Sequence, residues 1–201
     1  MPWAPDYLTL AEAKDFERID LADTADDVEL SMWITAASRA IDDTTNRQFG
    51  AVDDPTEFTY TANDIYYNPA RDVWVLDVDD FTDATDAVVV ADGTTVTMGV
   101  PEERNAVAKG KTYTRIVFPV DTWLYIPAEV GITLAGWGWP AVPAAVKGAA
   151  KLQVSRWAAR RDSPFGVAGS PEKGNELRLL AKLDPDVAVM LKSVTRPERP
   201  R

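Results

Sequence analysis

The apolar positions of residues 24 to 47 follow one helical stripe. Leu30, Trp33, Ile34, Ala37 and Ile41 stand at i, i+3, i+4, i+7 and i+11, which gathers them on a single helix face. Asp26, Asp27, Glu29, Arg39, Asp42 and Asp43 take the other sides. Thr24 with Asp27 three residues on reads as an acidic form of the capping box, and acids in the first turn suit the helix dipole. Residues 140 to 161 repeat the pattern on two faces, Val142, Val146, Ala150, Val154 and Trp157 on one and Ala145, Ala149 and Leu152 on the other. A helix apolar on two sides packs on two sides. The two segments read as split halves of one helical core, with Trp33, Ile34, Ile41, Val146 and Trp157 buried at its centre.

Between them the period changes from 3.6 to 2. The runs 56–62, 72–78, 86–92, 94–98, 111–118 and 129–137 are rich in β-branched and aromatic residues, and Asp92-Gly93 between two of them signals a type I′ hairpin. Closely spaced strands of this kind predict a small antiparallel sheet, sandwich or barrel. Upstream, Thr9 and Glu12 form a capping box for a short helix over 10–18 whose Phe16 and Ile19 point inward. Downstream of Arg161 a Pro, Gly and Ser-rich loop leads to a strand or helical turn near 176–183. A final short helix and a basic tail follow.

The predicted fold is therefore α+β: a small helical bundle, with helices near 10–18, 24–47, 140–161 and 184–194, carrying an inserted antiparallel β module. Its parts are a helical core from 1–54 and 129–162, a β-rich insert over 55–128 and a C-terminal arm over 163–201.

Composition narrows the chemistry. The 201 residues include neither cysteine nor histidine, which removes disulfides, thiolate nucleophiles, Cys-ligated metals, the usual general base and the commonest metal ligand. Asp77, Asp79, Asp80 and Asp83 resemble a calcium loop only at first. Counted from Asp77, the sixth position is Thr82 and the twelfth Val88, where an EF-hand needs Gly and Glu. No phosphate-binding glycine motif occurs. We expect no enzymatic activity, no cofactor and no metal. The start lacks a basic n-region, and no run of eighteen apolar residues exists, so the expectation is a soluble chain in a cytosol-like compartment.

Charge is divided along the chain. Residues 1 to 100 hold 5 Lys and Arg against 22 Asp and Glu, whereas residues 101 to 201 hold 16 against 10. Such polarity favours head-to-tail contacts between copies and opposes non-specific DNA binding by the acidic part. Lys147 with Lys151, and Arg156 with Arg160, are four apart, so each pair shares a helix face. With Arg161 they suit an acidic protein surface better than DNA, because the whole chain is acidic.

Two blocks then resemble a known family. YLTLAEAKDFERID, an acidic turn and a helix reading ITAASRAIDDTTNRQFG resemble the opening of head-to-tail adaptor (head completion, or neck connector) proteins of tailed bacteriophages. GWGWPAVPAAVKGAAKLQVSRWAARRDSPFG resembles their later block, and the two cover residues 7–50 and 130–167 in the family's order. The resemblance implies a structural virion protein at the head–tail junction, made in the bacterial host's cytoplasm. Its partners would be the portal protein above and a stopper or tail-terminator protein below. It would form a homo-oligomeric ring of twelve copies that extends the DNA channel, without specific DNA binding and without a membrane. On this reading Arg160, Arg161, Val187, Met190, Leu191, Lys192, Arg196 and Arg199 meet the portal or a neighbouring copy, the apolar ones by helix-in-groove docking. Two other readings stand beside it. One is a binding module whose β insert reads a peptide or carbohydrate through Tyr60, Tyr66, Tyr67, Trp74, Tyr113, Trp123 and Tyr125. The other is a carboxylate-only enzyme with two acids facing across a cleft.

Overall fold

The computed structural model describes residues 5–52, 54–103, 105–161, 167–168, 177–178 and 185–196. The class is α+β, with four α-helices and antiparallel sheets among the described residues. The chain divides into two compact units: residues up to Phe49 together with those from Val142 onward, and Gly50–Ala141 between them.

The first unit is built on α1 (Leu10–Glu17), α2 (Asp27–Thr45), α3 (Ala144–Arg161) and α4 (Pro185–Leu191). α1 starts at the capping box that Thr9 and Glu12 predict, and it ends where Arg18 turns left-handed. α2 differs from expectation at its start: Asp26 is the N-cap and makes no side-chain cap bond. The Thr24–Asp27 box is absent because the helix begins at Asp27, which leaves Thr24 two residues before the N-cap, and the Asp27 carboxylate pairs instead with Lys14 at 2.5 Å. Lys14 is itself buried and donates to the carbonyl oxygens of Asp23, at 2.6 Å, and Leu21, so one ammonium organises the whole α1–α2 turn. Leu30, Ile34, Ala37 and Ile41 are buried along the predicted stripe. Ser38 and Thr45 share the buried side, their hydroxyls turned back on the carbonyls of Ile34 and Ile41 at 2.8 Å.

α3 buries Val146, Ala149, Ala150, Gln153 and Val154, and packs on both α2 and α4. Trp33 and Trp157, expected at the centre, are only half-buried. The reason is visible for Trp33, whose side lines an open cavity of about 220 Å³ with Glu17, Ile19, Asp26, Leu30, Ala158 and Ala159. Phe16 also departs from expectation: it is largely exposed, with the Lys151 ammonium 5.9 Å from its ring centre. Within the former loop, Val167–Ala168 pairs with Leu177–Arg178 as a two-stranded ladder, β10 and β11. The remainder of the 176–183 expectation lies outside the described residues.

The second unit holds β1 (Thr56–Thr61), β2 (Ile65–Asn68), β3 (Val73–Asp83), β4 (Val88–Ala91), β5 (Thr94–Val96), β6 (Val100–Glu102), β7 (Tyr113–Pro119), β8 (Glu129–Leu134) and β9 (Gly136–Trp137). One sheet runs β1-β8-β4-β5 and the other β2-β3-β7-β6, with β9 beside β3. Asp92 and Gly93 both have positive φ, 45° and 78°, the I′ geometry the dipeptide predicts. The segment 129–137, counted with the helical core in the sequence reading, belongs to the sheets, because β8 lies between β1 and β4 and bonds to both. β2 and β6 are additional strands. Both sheets feed one apolar cluster, with Leu76, Val78, Phe81, Ile116, Phe118, Val130, Ile132, Leu134 and Trp137 buried. Phe58 stacks on Trp137 with ring centres 4.5 Å apart, and the indole N–H of Trp137 donates to the Thr56 carbonyl at 2.8 Å. Gly138 is required where it stands, because its φ is +85° and a Cβ would collide with the Gly50 carbonyl.

Candidate partner interface

The predicted interface residues are divided by the packing of α4. Its Val187 and Leu191 are four apart and fully buried, on the side facing α3. α3 presents Gly148 there, and the Met190 methyl lies 3.3 Å from where a Cβ on Gly148 would stand. After α4, Val194 and Thr195 donate to the Leu191 carbonyl. Arg196 N–H donates to Thr45 O at 2.8 Å, and Asn46 Nδ2 to Arg196 O at 3.4 Å, tying the segment to the end of α2. Val187 and Leu191 are therefore core residues of their own unit, a correction to the helix-in-groove expectation. The buried face of α3 supplies the groove itself. α4 leaves Pro185, Asp186, Ala188, Val189 at 73% exposure and Met190 at 40% in solvent, and the exposed Lys192 follows it. The backbones of Arg160 and Arg161 close α3, and Arg199 lies outside the described residues.

Two of the α3 cations work within the unit. Lys147 pairs with Glu12 at 2.9 Å and so joins α3 to the cap of α1. The hydrogen bond from Lys147, then that from the Thr9 N–H, holds the Glu12 carboxyl down at about 2. Lys151 lies over Phe16. Of the basic residues read in the sequence, Lys147 and Lys151 thus fasten helix to helix.

The N-terminal arm is held as firmly. The Tyr7 N–H donates to Ser38 Oγ at 2.9 Å, the Arg39 guanidinium to Pro5 O at 2.7 Å and Thr35 Oγ1 to Asp6 at 3.0 Å. The Tyr7 hydroxyl donates to the Asp42 carboxylate and accepts the Phe49 N–H at 2.9 Å, with the Phe49 ring edge-on 5.7 Å away. Burial, then the bond to Asp42, pushes the Tyr7 phenol well above its usual range. Burial likewise raises the Asp42 carboxyl.

In the β unit the seven aromatics proposed for reading a ligand separate by exposure. Tyr60 and Trp123 are buried, Trp74 and Tyr113 are half-buried, and Tyr66, Tyr67 and Tyr125 are exposed. Tyr67, Trp74, Trp123 and Phe118 follow one another at ring-centre distances of 5.3, 6.5 and 4.6 Å.

The sequence reading missed the most exposed apolar group beside this ladder. Between β7 and β8 the chain makes a 3-10 turn, Val120–Thr122, and then presents Leu124 at 97% exposure, Tyr125 at 70% and Ile126 at 43%. The tip is clamped. Trp123 and Pro127 on either side are buried, the Trp74 indole donates to Val120 O at 3.2 Å, and the Asp92 carboxylate accepts the N–H groups of Ala128 and Glu129 at 3.0 Å. The signal in the sequence is an apolar run, Trp123 to Ile126, bounded by Pro119 and Pro127 and too short for a central strand.

Among the described residues no group of three or more acidic side chains is placed to hold a metal ion, and no helix is long and apolar enough to cross a membrane. The sequence matches no protein-family model and no curated protein. Among solved structures it is similar to a chain in the neck of an empty GTA particle computed with C6 symmetry. The identity is 22%, over 92% of this chain and 97% of that chain, with a TM-score of 0.49.

Proposed function

We propose that this chain is a structural, non-enzymatic component of the neck of a tailed phage-like particle. In this reading it forms a ring beneath the portal that links head to tail and continues the DNA channel. The helical unit is a platform into which the β unit is spliced, and twelve copies match the portal above. The DNA passes without specific contacts, past a surface whose acidic half repels phosphate. Portal and stopper or tail-terminator proteins are the neighbours.

The reading takes its identity from the two sequence blocks that resemble head-to-tail adaptors. The observation that carries it is the placement of bare apolar side chains on well-held backbone. Val28 and Met32 on α2, Leu124 to Ile126 at the β7–β8 tip, and Val189 on α4 stand in solvent on both units. Scattered single apolar residues are ordinary, but a clamped, contiguous exposed triplet with Leu124 almost fully in solvent marks a surface that another molecule covers.

Deleting the gene from the genome that encodes the chain, with complementation in trans, tests the reading. The expected result is packaged heads without attached tails, rescued by the complementing copy. Tailed particles at the undeleted yield would overturn it. Tyr66, Tyr67 and Tyr125, exposed beside the aromatic ladder, favour the binding-module alternative. A peptide or glycan bound by the isolated protein and lost in Tyr67→Ala would support that reading.

A further inference from the structure

The β7–β8 tip has an apolar end and an acidic setting. From Ile116 to Val146 the chain holds no Lys or Arg, and its acids are Asp121 and Glu129, both exposed. An anionic membrane is a poor partner for such a loop, since surface-binding segments there are basic. The fitting partner is an apolar surface edged by cations. This chain carries one. On the exposed side of α4, Val189 and Met190 stand in solvent with Lys192 beside them, and among the described residues 185–196 the one acid is Asp186, a turn before Val189, against Lys192 and Arg196 after it. Of the other exposed apolar residues of the helical unit, Phe16 is a single ring with Lys151 already over it, and Leu21, Val28 and Met32 sit among Asp20, Asp23, Asp26, Asp27 and Glu29, where a tip with acidic flanks is repelled.

We propose that Leu124, Tyr125 and Ile126 of one copy pack on Val189 and Met190 of a second copy, with Lys192 facing Asp121 or Glu129. The contact joins two different surfaces, so it is heterologous and repeats from copy to copy, closing into a ring where the rotation allows. Because both sides are held before contact, the tip by Trp123, Pro127 and Asp92 and α4 by its buried Val187 and Leu191, little ordering cost opposes association. The proposal rests on the neck reading only in taking the partner to be a second copy.

The natural absence of cysteine makes the test direct. Leu124→Cys and Val189→Cys are prepared as separate full-length proteins and mixed, then oxidised with copper phenanthroline, both as concentrated isolated protein and inside purified particles. Both sites are exposed, and circular dichroism checks that the variants fold. The expected result is a disulfide pair between the two different variants, well above what either makes alone, in at least one of the two preparations. The double variant is expected to give a ladder of linked copies. Tyr125→Cys with Met190→Cys should repeat the pattern, and Leu124→Asp should weaken self-association about tenfold or more.

No mixed pair above the single-variant background in either preparation overturns the proposal. So does a Leu124→Cys link that mass spectrometry assigns to another particle protein. The gene deletion separates this failure from that of the neck reading. Tail loss without mixed disulfides sinks the contact alone, and mixed disulfides with normal tailed particles sink the neck reading alone.

Discussion

Tyr7 concentrates three tasks in one side chain. Its hydroxyl satisfies the buried Phe49 N–H, its bond to Asp42 fixes the arm on α2, and its ring packs edge-on against Phe49. Tyr7→Phe keeps the ring, orphans the Phe49 N–H and leaves the Asp42 carboxylate with Arg39 alone, so it should cost about 1–3 kcal/mol in urea denaturation. An unchanged midpoint would show that water replaces the hydroxyl. Glu12 sets an acid limit. Its folded pKa of about 2 lies below the ordinary 4.5, so the contribution of its cap and its Lys147 pair is complete above pH 4.5 and is lost as pH falls toward 2. Glu12→Gln should lower stability at neutral pH and flatten its decline across that window. Parallel curves for the two proteins would contradict this. Trp33 beside its cavity should cost roughly half of the 3–5 kcal/mol of a fully buried aromatic on change to alanine.

At the scale of elements, α4 is the sharpest case. Leu191→Ala should destabilise the helical unit by about 2–5 kcal/mol, because Leu191 is fully buried against its own chain. Truncation after Asp162 should lower the melting temperature for the same reason; a truncated chain that melts unchanged would show that α4 contributes nothing to the fold. The α2 stripe was legible because five apolar residues at helical spacing admit one face only, and the cap of α1 because Thr9 and Glu12 act locally. The destination of α4 was not legible. A seven-residue amphipathic helix looks the same whether its apolar side meets its own α3 or a partner, and Gly148, which lets Met190 come close, reads as a weak helix position. β2 and β6 escaped because four and three residues are too few for alternation to show, and β6 carries Pro101 as an edge strand does. The β7–β8 tip escaped for the opposite reason. Apolar side chains in sequence read as core, and only the buried Trp123 and Pro127 on either side reveal that Leu124 to Ile126 face water.

The whole molecule divides into two compact units. The β unit draws its core from its own nine strands and the turns between them, so residues 50–141 expressed alone should fold with a cooperative thermal transition. A random-coil spectrum would show that the sheets depend on the helical unit. The central claim concerns what such a chain is for, and the most direct measurement is a reconstruction of the head–tail junction in particles made by the genome that encodes it. The account predicts a ring of density between portal and tail into which both units fit, with the β7–β8 tip of each copy on α4 of the next. A junction fully occupied by other proteins, with this chain absent from the purified particles, would contradict it.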